Sequence, residues 1–244
     1  MDSEFYPSQC LPISDLNYAP IWTAEQWQEA KNNYLDKRQG IRVSLVIKRI
    51  LDLAISSLAI LILLPVLALI SLAIRLSSPG PILFRQERLG QLAQPFKIYK
   101  FRTMIDGAIS QGAGINTFKG DPRVTPIGRF LREYHLDELP QLFNVLRGEM
   151  SLVGPRPLLV QCLPTYTDWQ KQRFLVSPGI TAWEAVEGGL LNTLEERLKL
   201  DVWYVNNWNF WLDLVILLRT IPVVLSKEGA YAKEDSPPNH GQPL

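Results

Sequence analysis

Histidine and cysteine are nearly missing from this chain. Two of each are spread through 244 residues, too few for a disulfide framework, and none stands at metal-ligand spacing from another. Cys10 and Cys162 therefore read as thiols of a reducing compartment. No Cys/His or Ser/His/Asp arrangement follows from spacing, and neither a P-loop nor a Rossmann glycine pattern is present. Charge of one sign is also lacking: 25 basic against 24 acidic residues leave a net charge of +1. Any basic site must come from local clustering. Met1 to Tyr18 contains acids, Pro7 and Pro12 and no apolar run, which excludes a signal peptide and predicts that the polar parts stay in the cytoplasm. Internal repeats are absent.

One long apolar run is present. Leu53 to Ile74 carries no charge over 22 residues; at about 1.5 Å per residue a helix of that length can cross a hydrocarbon core of about 30 Å. Pro65 lies inside it, lacks an N–H and opposes the carbonyl of Leu61, so a break is expected there. Arg42, Lys48 and Arg49 precede the run, and Arg75, Arg85 and Arg88 follow it. Basic flanks mark cytoplasmic ends. A helix-break-helix hairpin that enters one leaflet and returns fits both ends better than a straight span, which remains the alternative.

Around this run the chain divides into a polar, partly disordered extension over 1–42, a membrane hairpin over 43–77, a mixed, helix-rich α/β domain over 78–226 and a disordered tail over 227–244. In the extension Thr23 can cap a short helix, and nothing there converges on a site. In the domain, Pro81–Arg85 and Pro95–Phe101 read as strands. Thr125-Pro126 opens a helix to about Tyr134, and Pro140 opens another that stops at Gly148. Trp203, Tyr204, Trp208 and Trp211 precede the apolar run Leu212 to Leu218. They suit either a membrane–water interface or an amphipathic helix packed on the core.

Asp137 and Glu138 stand just before Pro140. Free N–H groups at a helix start favour anions, and paired carboxylates can hold a divalent cation or attack phosphorus. Acids at a helix start are equally good capping residues, so the pair alone leaves both roles open. Arg129 and Arg132 share a helix face. Lys97, Lys100 and Arg102 come from the strand region, and Arg156 lies between Pro155 and Pro157, which stiffen its backbone. Guanidinium forks suit phosphate oxygens. His135 has no partner at ligand spacing, so a surface or structural role is expected.

Six segments stand in a fixed order: Phe84 to Gly90, Lys100 to Met104, Asp121 to Thr125, Gly128 to Arg132, Leu136 to Gln141 and Met150 to Pro157. Together they closely resemble the bacterial sugar transferase family, the monotopic polyprenyl-phosphate sugar-1-phosphate transferases, over roughly Lys48 to Leu225. The resemblance implies an enzyme that moves a sugar-1-phosphate from a nucleotide-diphosphate sugar, usually a UDP-sugar, to undecaprenyl phosphate and releases UMP. It further implies Asp137 as nucleophile, Glu138 as its partner in metal or proton handling, and Mg2+ at the pair. Arg156 would bind phosphate, with Arg129, Arg132, Lys100 and Arg102 as looser candidates, and Pro65 would mark the break of a re-entrant anchor. The expected place is the cytoplasmic face of the bacterial inner membrane, at the first membrane step of exopolysaccharide or other surface glycan synthesis. Expected partners are the two substrates and the bilayer, without nucleic acid; a homo-oligomer and downstream glycosyltransferases stay open.

The chain departs from the family pattern in places. Leu64 replaces the usual serine before the breaking proline, and Glu149 stands for an aspartate. Gly179-Ile180-Thr181-Ala182-Trp183 leads to Glu184-Ala185-Val186 rather than Ala-Gln-Val. The large N-terminal membrane domain of longer members is not present, which reads as a short form. A catalytically silent membrane scaffold of the same fold is the rival reading, opposed by the intact Asp137-Glu138 pair and Arg156. The sugar is not legible, because hexose discrimination rests on a few hydrogen bonds.

Overall fold

The computed structural model describes residues 21–38, 40–108 and 120–226. Cys10 and the expected C-terminal tail lie outside them. The elements run α1 (Ala24–Asp36), α2 (Ile41–Ser77), β1 (Leu83–Leu89), β2 (Pro95–Phe101), α3 (Pro126–Glu133), α4 (Gln141–Arg147), β3 (Ser151–Val153), α5 (Asp168–Lys171), β4 (Gly179–Thr181), α6 (Trp183–Val186), α7 (Leu194–Asn207) and α8 (Phe210–Ser226). The strands form two small sheets, an antiparallel β1–β2 hairpin and a parallel β3–β4 pair. The expected helix-rich α/β mixture is therefore the observed one, and short 3-10 turns supply much of the connection between elements.

Punctuation residues end the helices where their chemistry demands. Thr23 caps α1 through a reciprocal box with Gln26, and Thr125 caps α3 ahead of Pro126. Gly148 closes α4 at φ 87°, a left-handed conformation that glycine adopts without Cβ strain. β1 begins two residues later than the expected strand and continues to Leu89, because its register is set by pairing with β2.

The apolar run forms one helix. α2 spans 37 residues with Pro65 inside, about 55 Å at 1.5 Å per residue. The expected break does not divide it: the lost hydrogen bond is local, and the flanking leucine, isoleucine and alanine turns supply the rest of the ladder. Leu58, Leu61, Ile62, Leu69, Leu72 and Leu76 are more than half exposed. An aliphatic surface of that extent needs a non-aqueous neighbour. By length and composition α2 can cross a membrane.

Both ends of α2 are fastened to the same domain. Near its start, Lys48 Nζ donates to Asp213 Oδ2 of α8 at 2.5 Å, Arg49 Nη1 to the Val145 carbonyl of α4 at 2.7 Å, and Asp52 accepts from Ser151 Oγ at 2.7 Å. Near its end, Leu67, Ile70 and Ile74 pack with Phe101 and Leu131.

The N-terminal extension is not loose where it is described. Trp27 and Tyr34 of α1 are buried in two different core clusters, because an indole and a phenol ring remove far more apolar area from water than the polar residues around them expose. The aromatic residues near the C-terminus divide between the two roles left open. Tyr204 and Trp208 are core, each hydrogen-bonded to Asp213, whereas Trp203 and Trp211 are exposed. Cys162 is fully buried.

Candidate active site

The Asp137-Glu138 pair sits on a tight turn between two helices. α3 ends at Glu133, and His135 takes φ 52°, a left-handed conformation that costs a non-glycine residue about 1–3 kcal/mol. This reversal turns the chain into a 3-10 turn, Leu136–Glu138, which feeds Pro140 and α4. His135 thus has the structural role expected of it. α3 lies close against the strand region: a Cβ on Gly128 would fall 2.0 Å from the Thr103 carbonyl oxygen. α4 is docked on β2 by Asn144, which accepts from the Tyr99 N–H at 3.0 Å and donates to the Lys97 carbonyl at 2.8 Å. The turn is therefore held from both sides, by α3 on Thr103 and by α4 on β2.

Glu138 is the electrostatic centre. Its Oε1 accepts from Lys100 Nζ at 2.6 Å and from Arg156 Nη2 at 2.9 Å. Burial alone pushes its carboxyl up, but the Arg156 and Lys100 charges outweigh this and hold it well below the usual carboxylate range. Asp137 moves the other way. Burial and the Glu138 charge raise it, with Lys100 and Arg132 opposing. Adjacent carboxylates are thus driven apart, one firmly ionised and one poised closer to protonation, a pattern suited to separate roles. No hydrogen bond engages the Asp137 carboxylate among the described residues, whereas Glu138 is gripped.

Arg156 is delivered by a loop that leaves β3. Gly154 crosses β4 so closely that a Cβ on Gly179 would meet the Gly154 nitrogen at 2.1 Å; only paired glycines permit this approach. Arg173 Nη2 then donates to the Arg156 carbonyl at 2.6 Å while its Nε and Nη2 hold Asp201. Glu138 and Glu184 strengthen the positive charge of Arg156. Arg88, at the end of β1, donates to the Pro157 carbonyl at 3.4 Å and to Gln86 at 2.6 Å. Burial, then repulsion by Arg156, lowers it to about 10.

The candidate residues separate under this geometry. Asp137, Glu138, Lys100 and Arg156 come together. Arg132 lies close enough to act on Asp137 and donates to Thr103 Oγ1 at 2.7 Å. Arg102 is turned to another task, donating to the Ser78 and Pro79 carbonyls at 2.7 and 2.8 Å, which fastens the turn after α2. Arg129 is exposed on α3. Arg88 and Arg173 are additions from the tertiary structure. Arg88 lies inside one of the six sequence segments, but Arg173 carried no signal of its own. Glu149 pairs with Asn144 and Arg147 behind the site, and Glu184 with Arg197 at 3.0 Å.

For a cation, the oxygen donors at hand are those of Asp137 and Glu138; among the described residues no group of three His, Cys, Asp or Glu converges. Mg2+ commonly takes one or two carboxylates and completes its shell with water and substrate phosphate; here one Glu138 oxygen is already held by Lys100 and Arg156.

The sequence matches the family described as "Bacterial sugar transferase" over residues 43–227. It is 45% identical over 186 residues to the "Uncharacterized sugar transferase EpsL" of Bacillus subtilis, covering 76% of this chain and 90% of that protein. It is 43% identical over 200 residues to a "UDP-glucose:undecaprenyl-phosphate glucose-1-phosphate transferase" of Caulobacter vibrioides, covering 75% and 72%. To a protein of the same name from Escherichia coli it is 39% identical over 201 residues, covering 78% of this chain and 42% of that one. The chain thus spans less than half of some relatives and most of others.

Proposed function

Because the chain belongs to the bacterial sugar transferase family, we propose that it transfers a sugar-1-phosphate from a UDP-sugar to undecaprenyl phosphate. The observation that carries this reading is the Asp137-Glu138 turn, with Lys100 and Arg156 on one Glu138 oxygen and Asp137 left unengaged. The names of relatives supply the substrate class. The ionised Asp137 carboxylate attacks the sugar-linked phosphorus; an aspartyl–phosphorus bond forms, and the bond to UMP breaks with UMP leaving as the anion. An oxygen of the lipid phosphate then attacks the same phosphorus and releases Asp137. Lys100, Arg156 and Arg88 offset the negative charge of the diphosphate, and the fixed Glu138 keeps those cations in place. Mg2+, held by Asp137 and Glu138, would neutralise phosphate charge.

α2 supports a reading of the membrane placement. A domain on one face of a bilayer cannot hold both ends of a straight span, since about 30 Å of hydrocarbon separates them. Lys48, Arg49 and Asp52 at one end and Ile70 and Ile74 at the other touch the same domain, which supports a monotopic anchor with both ends on the cytoplasmic face. Trp211, Leu218 and Leu225 of α8 are exposed as well, which suits an interfacial helix.

The test is to incubate membranes holding the full chain with undecaprenyl phosphate and a panel of UDP-sugars, following UMP with and without Mg2+. UMP release with at least one sugar is expected. Silence across the panel would sink the transferase reading and favour a scaffold.

A further inference from the structure

α1 lies ahead of the family match, which begins at residue 43, yet it reaches the walls of the active site. Two chain segments bring Arg88 and Arg156 to the neighbourhood of Glu138 and a third sets Arg173 behind Arg156, and each carries an apolar residue directly beside or just after its arginine. Arg88 is followed by Leu89, Arg156 by Pro157 and Leu158, and Arg173 by Phe174. Leu89, Leu158 and Phe174 are each at most 3% exposed and meet in one cluster. Trp27 of α1 belongs to that same cluster, its ring edge-on to Phe174 with centroids 6.0 Å apart. The Leu89 N–H donates to the Leu158 carbonyl at 2.8 Å, so the β1 end and the Arg156 loop move together.

A second contact fastens the same helix. Trp22 Nε1 donates to Asp168 Oδ1 at 2.8 Å, and the Lys171 ammonium sits 5.5 Å from the Trp22 ring centre. Lys171 and Asp168 lie on α5, which leads directly into the Arg173–Phe174 turn. α1 is therefore tied to that turn through Trp22 and packed upon it through Trp27.

From this convergence we infer that Trp27 is a positioning residue for the arginine wall of the active site. By filling the space behind Leu89, Leu158 and Phe174 it holds Arg88 and Arg156 in one arrangement, Arg156 in part through the Arg173 that grips its carbonyl. Close-packed interiors transmit such displacement, because a side chain removed from the cluster leaves its neighbours free to shift. A displacement of about 1 Å at a phosphate-binding arginine is enough to be felt in function. The inference rests on the proposed use of that wall to bind a diphosphate.

The full-length chain in detergent, as wild type, Trp27→Ala, Trp27→Phe and Tyr34→Ala, tests it by titration with inorganic diphosphate alongside the UDP-sugar assay. Tyr34 is the control. It lies on the same helix and is similarly buried, but it packs with Val205 and Trp208 and donates to the Val205 carbonyl at 3.2 Å. The expected result is about tenfold weaker diphosphate binding in Trp27→Ala, with the KM for UDP-sugar rising more than kcat falls. Trp27→Phe should recover most of the loss, and Tyr34→Ala should lower thermal stability while leaving diphosphate binding within about twofold. Equal weakening in Trp27→Ala and Tyr34→Ala, or unchanged binding in Trp27→Ala, would overturn the inference. If the wild type transfers no sugar but the diphosphate pattern holds, the proposed function fails and the positioning role stands.

Discussion

Glu138 and Asp201 are both buried carboxylates beside arginine. Glu138 shares one oxygen between Lys100 and Arg156, which arrive from different elements. Asp201 takes both Nε and Nη2 of a single arginine, Arg173, on one oxygen and leaves Oδ1 buried without a partner. The charges balance differently as well. Two cations hold Glu138 well below the carboxylate range, while burial pushes Asp201 up to about 6 against the pull of Arg173. Beside Glu138 stands Asp137, a carboxylate that no side chain engages among the described residues; beside Asp201 the neighbouring carboxylate, Glu184, is itself paired with Arg197 at 3.0 Å. On the proposed function, the Glu138 ion pairs fix cations around an unengaged neighbour, whereas the Asp201 ion pair supports them from behind. Asp201 supports in a definite sense, since Arg173 also holds the Arg156 carbonyl.

The contrast can be broken in several places. Asp137→Asn removes the proposed nucleophile and should reduce UMP release by about a thousandfold or more with the thermal midpoint nearly unchanged; full turnover would end the covalent route. Asp201→Ala should act first on stability. It leaves the Arg173 charge buried, so stability should fall by about 3–5 kcal/mol, read as a lower thermal midpoint in detergent. Arg156→Lys keeps a charge but loses the guanidinium fork, and turnover should fall about tenfold to a hundredfold with little loss of stability.

A pH profile sharpens the comparison further. In the proposed mechanism Asp137 must be ionised to attack, and burial raises it above the ordinary aspartate value. Turnover should therefore be lost as pH falls through that raised value. Lys100 opposes the rise, so in Lys100→Met the acid limb should move to higher pH; a shift to lower pH would contradict the assigned geometry. The smallest effect is expected at Arg129, exposed on α3, where Arg129→Ala should change turnover by less than about twofold.

Much of the fold was legible wherever the chemistry is local. Thr23, Thr125, Pro126 and Gly148 start or stop helices by satisfying or withholding backbone hydrogen bonds, and each does so at the expected place. Pro65 was legible as a perturbation, while α2 continues through it as a single helix. α1 was read as part of a polar extension because polar residues outnumber its two buried rings; their burial depends on pockets built by residues far along the chain. At the site the same division appears. The Asp137-Glu138 pair and Arg156 announce themselves through neighbouring prolines, whereas Arg102 and Arg129 look equally suitable by charge and are separated only by where their strand and helix place them.

The sequence by itself determined that a long aliphatic run must leave water, that two carboxylates stand at a helix start, and that six ordered segments resemble one enzyme family. These rest on residue type and spacing alone. Only the tertiary structure decided which cations reach Glu138, that Arg173 stands behind Arg156, and that Trp27 closes the cluster behind the arginines. Those relations join residues distant along the chain, and packing and desolvation act between such groups only once the chain has folded.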